Sequence, residues 1–303
     1  MRLSFPGLSF YKGHNTTRNG RYIMPDIASL TIVFRGAGDV ASGAALRLYN
    51  AGLRRIILLE TARPMAVRRT VSFSEAVYEG EILVEGVRAR LASSPAEIPS
   101  IWKEEALPVL VDPDGTLIRG QKPDVVIEAT IAKRNIGVHI TDAPLVIGVG
   151  PGFTAGKDVH CVVETKRGFT LGRLYRSGSA APDTGRPGDV MGYTLERVLR
   201  APCAGLFETT LDIGDRVEAG QSVGTVAGQP VISEIGGILR GLLRSGISVE
   251  KGTKMGDVEP RPNVGFHKCS DKGMAVGGAL LEAILAHALN KAPQPSAEAS
   301  DEM

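Results

Sequence analysis

Asp158, His160, Glu164 and Arg167 fall close together behind the glycine-rich stretch G-V-G-P-G-F-T-A-G of residues 148–156. Histidine and carboxylate together could move a proton or ligate a metal. If Val159 to Thr165 is a strand, alternation puts His160, Val162 and Glu164 on one face, with Cys161 and Val163 on the other. That would aim a base and an acid the same way, making Asp158, His160 and Glu164 the catalytic candidates. A satisfied strand-edge histidine explains His160 equally well, and no metal is assigned. Glycine-rich loops at strand ends are where open α/β sheets take ligands, so Gly150, Gly152, Phe153 and Arg167 are candidate cofactor contacts.

A second constellation lies upstream. Thr31 to Phe34 is a short apolar run followed at once by R-G-A-G-D-V-A-S-G (residues 35–43), the order strand, glycine turn, helix. Gly36 and Gly38 would let the backbone turn and approach a bound group. Ala41 and Gly43 would let the helix pack on a sheet and aim its first N–H groups at a phosphate. The pattern is GxGxxA rather than the full GxGxxG. A second strand, residues 55–59, ends at Glu60, 24 residues past Gly36 and where a ribose-binding acid belongs. Asp39, inside the loop, would repel a pyrophosphate unless it turns away or holds a metal. A tight turn and a capped strand account for the same residues without a ligand. Directly downstream, Arg63, Arg68 and Arg69 stand beside Thr70, Ser72 and Ser74. Arginine forks could grip a ribose 2′-phosphate or a pterin phosphate there, the alternative being a solvated basic turn.

The elements that must hold these groups read as an α/β domain. Residues 81–91 suggest a hairpin through Glu85-Gly86, residues 95–106 a short helix carrying Trp102, and residues 108–112 and 124–128 further strands. Residues 178–193 are a long glycine- and proline-rich loop, a lid or a linker, with Arg186 and Asp189 as contacts. From Gly205 to Val226 the chain repeats at an offset of 32, pairing Gly205 with Gly237, Gly214 with Gly246 and Val226 with Val258. The repeat looks like the barrel-sandwich of biotinyl and lipoyl carrier domains. Its linking segment, residues 226–231, lacks the carrier lysine, and Lys251 and Lys254 are expected to be unmodified.

The expected organisation is thus a disordered or over-called arm at residues 1–27, a Rossmann-like parallel-sheet α/β domain at 28–199 and an all-β barrel-sandwich module at 200–262. A helix at 263–291 beginning at Asp271 and docking on the α/β domain follows, then a disordered tail at 292–303. With 303 residues, 43% of them hydrophobic, the chain can bury a substantial core. A net charge of +2 gives no field suited to nucleic acid, and no apolar run approaches the ~20 residues that span a bilayer. Three scattered cysteines form no disulfide framework and fit a reducing compartment, the cytoplasm. Self-association as a homo-oligomer is left open.

Taken in order, R-G-A-G-D-V-A-S-G-A-A-L-R-L-Y, R-R-T-V-S-F-S-E-A-V-Y, G-V-G-P-G-F-T-A-G-K-D-V-H-C-V-V-E-T-K-R-G, K-M-G-D-V-E-P-R and S-D-K-G-M-A-V-G-G closely resemble the YqeB-type accessory family of selenium-dependent molybdenum hydroxylases. The resemblance runs over roughly residues 28–290. It implies a maturation role serving such a hydroxylase, by analogy with the XdhC accessory proteins, which pair a nucleotide-binding fold with handling of the molybdenum cofactor. It implies cofactor-facing positions at Gly36, Gly38, Asp39, Arg68, Arg69 and the 150–168 segment. Cys161 and Cys269 invite a role as sulfur or selenium carriers, yet neither sits in a motif that would depress its pKa. Two functions compete: an accessory protein binding a nucleotide or the molybdenum cofactor (molybdopterin), and an NAD(P)-dependent oxidoreductase.

Overall fold

A computed structural model describes residues 26–263 and 265–290. The expected arm and tail lie outside them, apart from Asp26 and Ile27.

Strand β1 (Ile32–Arg35) is buried at every position, and its glycine turn leads straight into helix α1 (Asp39–Asn50) and strand β2 (Ile56–Glu60). After a stretch of 3₁₀ turns come α2 (Ala76–Glu79), the hairpin β3 (Glu81–Val84) and β4 (Val87–Leu91), α3 (Ile98–Lys103), β5 (Ala106–Val111), α4 (Thr116–Gln121) and β6 (Val125–Glu128). Strands β7 (Leu145–Val149), β8 (Cys161–Val163) and β9 (Leu174–Tyr175) complete a nine-stranded sheet of order β3-β4-β5-β2-β1-β6-β7-β8-β9. The seven strands from β4 to β8 run parallel, and the outer strands β3 and β9 run antiparallel. Near-continuous apolar strands such as Val125-Val-Ile127 are what a sheet covered on both faces demands.

The second half carries β10 (Val198–Arg200), β11 (Gly205–Glu208), β12 (Arg216–Val217), β13 (Ser222–Val226), β14 (Gln229–Ile232), β15 (Gly237–Leu242), β16 (Ile247–Val249) and β17 (Lys254–Glu259). They form two four-stranded antiparallel sheets, β10-β17-β15-β12 and β14-β13-β11-β16. The repeat is visible in their pairing. The first copy gives β12 to the second copy's β15, and the second returns β16 to the first copy's β11. Phe207, Leu239, Leu242 and Val258 fill the core between them.

These topologies correct the expected fold class. The α/β sheet is mixed rather than parallel, because the 81–91 hairpin and β9 add antiparallel edges to it. The duplicated region makes two separate antiparallel sheets instead of a barrel-sandwich module. A repeat fixes strand lengths and turn positions, but not which copy each strand pairs with.

Helix α5 (Asp271–Asn290) returns to the α/β unit and lies along α1. By length and composition it could cross a membrane. Here Val276, Leu280 and Ile284 are fully buried in the core shared with α1 and the sheet. The two helices touch backbone to backbone: a Cβ on Gly43 would stand 3.1 Å from Gly273 Cα, and one on Gly277 3.0 Å from Ala44 Cα. Gly43 therefore serves helix on helix, a correction to the expectation that it seats α1 on the sheet.

Candidate functional site

Strand order reverses beside β1: β2 and β5 lie on one side of it and β6 and β7 on the other, all parallel. Crevices of this kind, outside the carboxyl ends of the strands, are where open α/β sheets bind ligands. Gly36 holds φ +97°, and a Cβ there would stand 3.0 Å from the Thr130 backbone, so the turn admits only glycine. On the opposite wall Ile131 adopts φ +57°, a left-handed conformation costly for a β-branched residue and characteristic of ligand loops. Gly38 caps α1 with no side chain, which leaves the first amides of the helix available to an anion.

Glu60 takes a different part from the one expected. Its Oε1 accepts the Ala37 N–H and its Oε2 the Thr61 N–H, each at 2.8 Å. Burial raises its pKa, and these two amides hold it down. In this structure the acid splints the glycine turn from beneath.

The arginine segment is the hinge on which the duplicated unit docks. Arg69 donates Nε to the Leu242 carbonyl at 2.8 Å and Nη2 to Asp212 at 2.6 Å, while the Leu242 N–H reaches the Val67 carbonyl at 2.8 Å. Arg69 is thus spent on holding two units together, a correction to its assignment as a cofactor contact. Arg68 is buried against Gly241 and donates Nη2 to the Lys268 carbonyl at 3.0 Å. Its Nε and Nη1 have no partner. Burial, then Arg240, pulls its pKa down, against the opposing pull of Asp39 and Asp257. Asp257 is itself shared, 3.0 Å from Arg197 Nη2 and 3.8 Å from Arg240 Nη1. Arg167 pairs with Asp271 at the start of α5, and this hydrogen bond raises the pKa of the arginine and lowers that of the aspartate. Lys272, next along, has its pKa lowered by burial and by Arg167, with Asp39 opposing. Gly188 of the long loop lies beside Arg167: a Cβ there would meet Arg167 Cδ at 3.4 Å. Asp39, Arg68 and Arg167 are therefore brought together at one seam, beside Arg197, Arg240, Asp257, Asp271 and Lys272.

The expected acid–base group does not assemble. His160 precedes β8 and accepts the Val146 N–H on Nδ1 at 2.9 Å, which places it at the amino end of the sheet. Glu164 follows β8 at the carboxyl end, about 13 Å further on at ~3.3 Å per residue. Sharing a face does not make them a couple. Glu164 is buried and spends both oxygens on backbone amides: Thr165 and Lys166 at 2.7 Å, Ala181 at 2.8 Å. Asp158 likewise accepts the Thr154 N–H at 2.8 Å and closes a turn. Phe153 is a core residue packed on Gly148, and a Cβ on Gly152 would stand 2.6 Å from the Arg134 backbone. Gly150, φ +86°, abuts Thr165. Of the 150–168 segment, only Arg167 reaches the seam.

Arg197 and Arg240 carry no sequence signal of their own: Arg197 lies in the 3₁₀ turn between the long loop and β10, and Arg240 in the middle of β15. Lys272 and Asp257 were visible inside S-D-K-G-M and K-M-G-D-V, but only as motif letters. Among the described residues no group of three or more His, Cys, Asp or Glu could hold a metal ion.

The thiols are set against carrier chemistry. Burial pushes Cys161 up to about 11, and burial with the Glu85 carboxylate pushes Cys269 up to about 12. Protonated thiols are poor nucleophiles. Iodoacetamide at pH 7.5 is expected to label the half-buried Cys203 in the native chain, and Cys161 and Cys269 only after unfolding. Prompt native labelling of Cys269 in a peptide-mass experiment would refute this.

No protein-family model matches the chain. Among solved structures it is similar to a succinylglutamatedesuccinylase/aspartoacylase from Rhodobacter sphaeroides, at 12% identity and a TM-score of 0.25, over 77% of this chain and 86% of that one. An aspartoacylase family protein from Mesorhizobium loti stands at 14% identity and the same TM-score of 0.25, again over 77% and 86% of the two chains. Likeness at that level carries no argument about this chain. In sequence it is 46% identical over 255 residues to the uncharacterized protein YqeB of Escherichia coli (strain K12), 84% of this chain and 47% of that protein, so it spans about half the length of the curated relative it matches.

Proposed function

We propose that the chain is a cytoplasmic accessory protein that holds a nucleotide or the molybdenum cofactor at the seam between its α/β unit and its duplicated β unit, in the service of a selenium-dependent molybdenum hydroxylase. One observation carries the reading. Arg68, buried between the two units, keeps two guanidinium nitrogens without a partner and interacts with Asp39 in the first turn of α1, a helix whose N-cap, Gly38, offers no side chain. A phosphate-bearing ligand supplies what that arrangement lacks. The motif resemblance and the likeness to YqeB are consistent with the accessory role, and neither supplies an activity.

The molybdenum cofactor fits at its phosphate end. Arg68 and Arg240 would take the phosphate, with the first amides of α1 beside them. The oxygen-transfer chemistry that the cofactor supplies belongs to the hydroxylase. The chain's own residues bind and orient: Glu60 stiffens the glycine turn, and Arg69, with Arg244 on Glu75 at 2.7 Å, keeps the units closed over the ligand. The oxidoreductase reading has less support, because the carboxylate it needs for a ribose is already engaged by Ala37 and Thr61.

The test is genetic and chemical. In cells lacking the chain, the hydroxylase is expected to accumulate at its usual level without its cofactor, with activity restored by the full chain and not by R68M. Normal cofactor content and activity in the deletion strain contradict the role.

A further inference from the structure

We infer that the seam is a phosphate dianion site, with Arg68 and Arg240 as the residues that grip it. The inference rests on the seam being the ligand site and names the group bound there.

Three buried or nearly buried guanidiniums, Arg68, Arg197 and Arg240, crowd about the single carboxylate of Asp257. Arg68 Nε and Nη1, Arg197 Nε and Nη1, and Arg240 Nε are shut from solvent and have no partner. Buried donors are almost always satisfied, and charged ones most strongly demand it. The shortfall extends to charge. Five cations, Arg68, Arg167, Arg197, Arg240 and Lys272, face the three carboxylates Asp39, Asp257 and Asp271, an excess of two. Glu259 is closed off by its own fork with Arg261, and Lys254 only adds to the positive side. A phosphate monoester carries about −1.5 to −2 at neutral pH, with several acceptor oxygens that guanidinium forks match.

The helices point to the same charge. Gly273, in the first turn of α5, lies 3.4 Å by its would-be Cβ from the carbonyls of Asp39 and Val40 in the first turn of α1. Helices of 12 and 20 residues thus begin side by side, and their positive ends add at the seam. Arg68 and Arg197 are buried, Arg240 is partly exposed and Arg167 is exposed. A polyanion such as nucleic acid could not reach guanidiniums sunk this deep. The occupant this depth calls for is a compact anion, a small phosphate ester or free phosphate.

Titration calorimetry and thermal shift on the full chain test this with inorganic phosphate, AMP and adenosine. Phosphate and AMP are expected to bind saturably and raise Tm, and adenosine to do neither. AMP binding more tightly than phosphate marks an ester as the occupant; equal affinities mark the free ion. R68M and R240M are expected to weaken binding at least tenfold. R90M, which removes a distant surface charge paired with Glu104, is expected to leave it within twofold. Should R68M fail to fold, R68K, which keeps the charge and loses the fork, and R240M read the same site. No saturable binding to the wild type, or affinities within twofold in R68M and R240M, overturns the inference. Phosphate binding in a chain whose deletion leaves the hydroxylase untouched removes the accessory role alone.

Discussion

Replacing Glu164 with alanine is expected to destabilise the chain by about 3–5 kcal/mol, since each buried amide left without an acceptor costs about 1–3 kcal/mol and the exposed Lys166 amide can recover some of its loss from water. Glu164 is 1% exposed and its carboxylate is the acceptor for Thr165, Lys166 and Ala181. Those three amides come from two loops, the one that carries Arg167 and the one that begins the long 178–193 excursion. Releasing them loosens the start of the long loop and the segment that carries Arg167 together. E164Q keeps the shape and one acceptor oxygen but points an NH₂ at a donor, so it is expected to lose nearly as much. Urea unfolding reads both variants, and a loss under 1 kcal/mol for E164A would show that water replaces the carboxylate.

Gly277 to valine is expected to cost about 3 kcal/mol, the upper part of the range for overpacking a well-filled contact. A Cβ at Gly277 would stand 2.8 Å from Arg47 Cβ, 3.0 Å from Ala44 Cα and 3.2 Å from the Ala44 carbonyl. Two of these are backbone atoms, so relief requires α1 and α5 to separate. Separation moves apart the two helix starts that meet at the seam. The variant should therefore lose phosphate affinity as well as stability, whereas G278A, whose Cβ meets only the tip of Arg47 at 3.9 Å, should lose neither. Equal stability of G277V and the wild type would contradict the packing described.

Much of the first half could be read from the residues. Thr31–Phe34, the glycine turn and the 55–59 run correspond to β1, α1 and β2 within a residue or so, because apolar β-branched runs broken by glycine have few other structures open to them. The 81–91 hairpin and a helix beginning at Asp271 were equally plain. Partnership was not. Alternation set His160 and Glu164 on one face but could not say that β8 is only three residues long, which leaves them at opposite ends. The repeat announced two equivalent halves without revealing that they exchange strands. Of the residues in the glycine and arginine motifs, Asp39, Arg68 and Arg167 come together at the seam, whereas Glu60, Arg69 and Phe153, whose types suit ligands, are used by their surroundings for structure. Arg197 and Arg240 were out of reach, since neither stands in a motif and only the pairing of β10 and β15 with β17 brings them to the one carboxylate of Asp257.

Whether this seam holds a phosphorylated ligand for a hydroxylase is tested most directly on the chain as it comes from its own cells. After rapid purification and denaturation, the released small molecules are measured by pterin fluorescence and mass spectrometry. A phosphorylated pterin or nucleotide is expected in near-equal amount to the chain, and none from R68M purified in parallel. A folded wild-type chain that releases neither, or an R68M chain that releases the same amount, would contradict it.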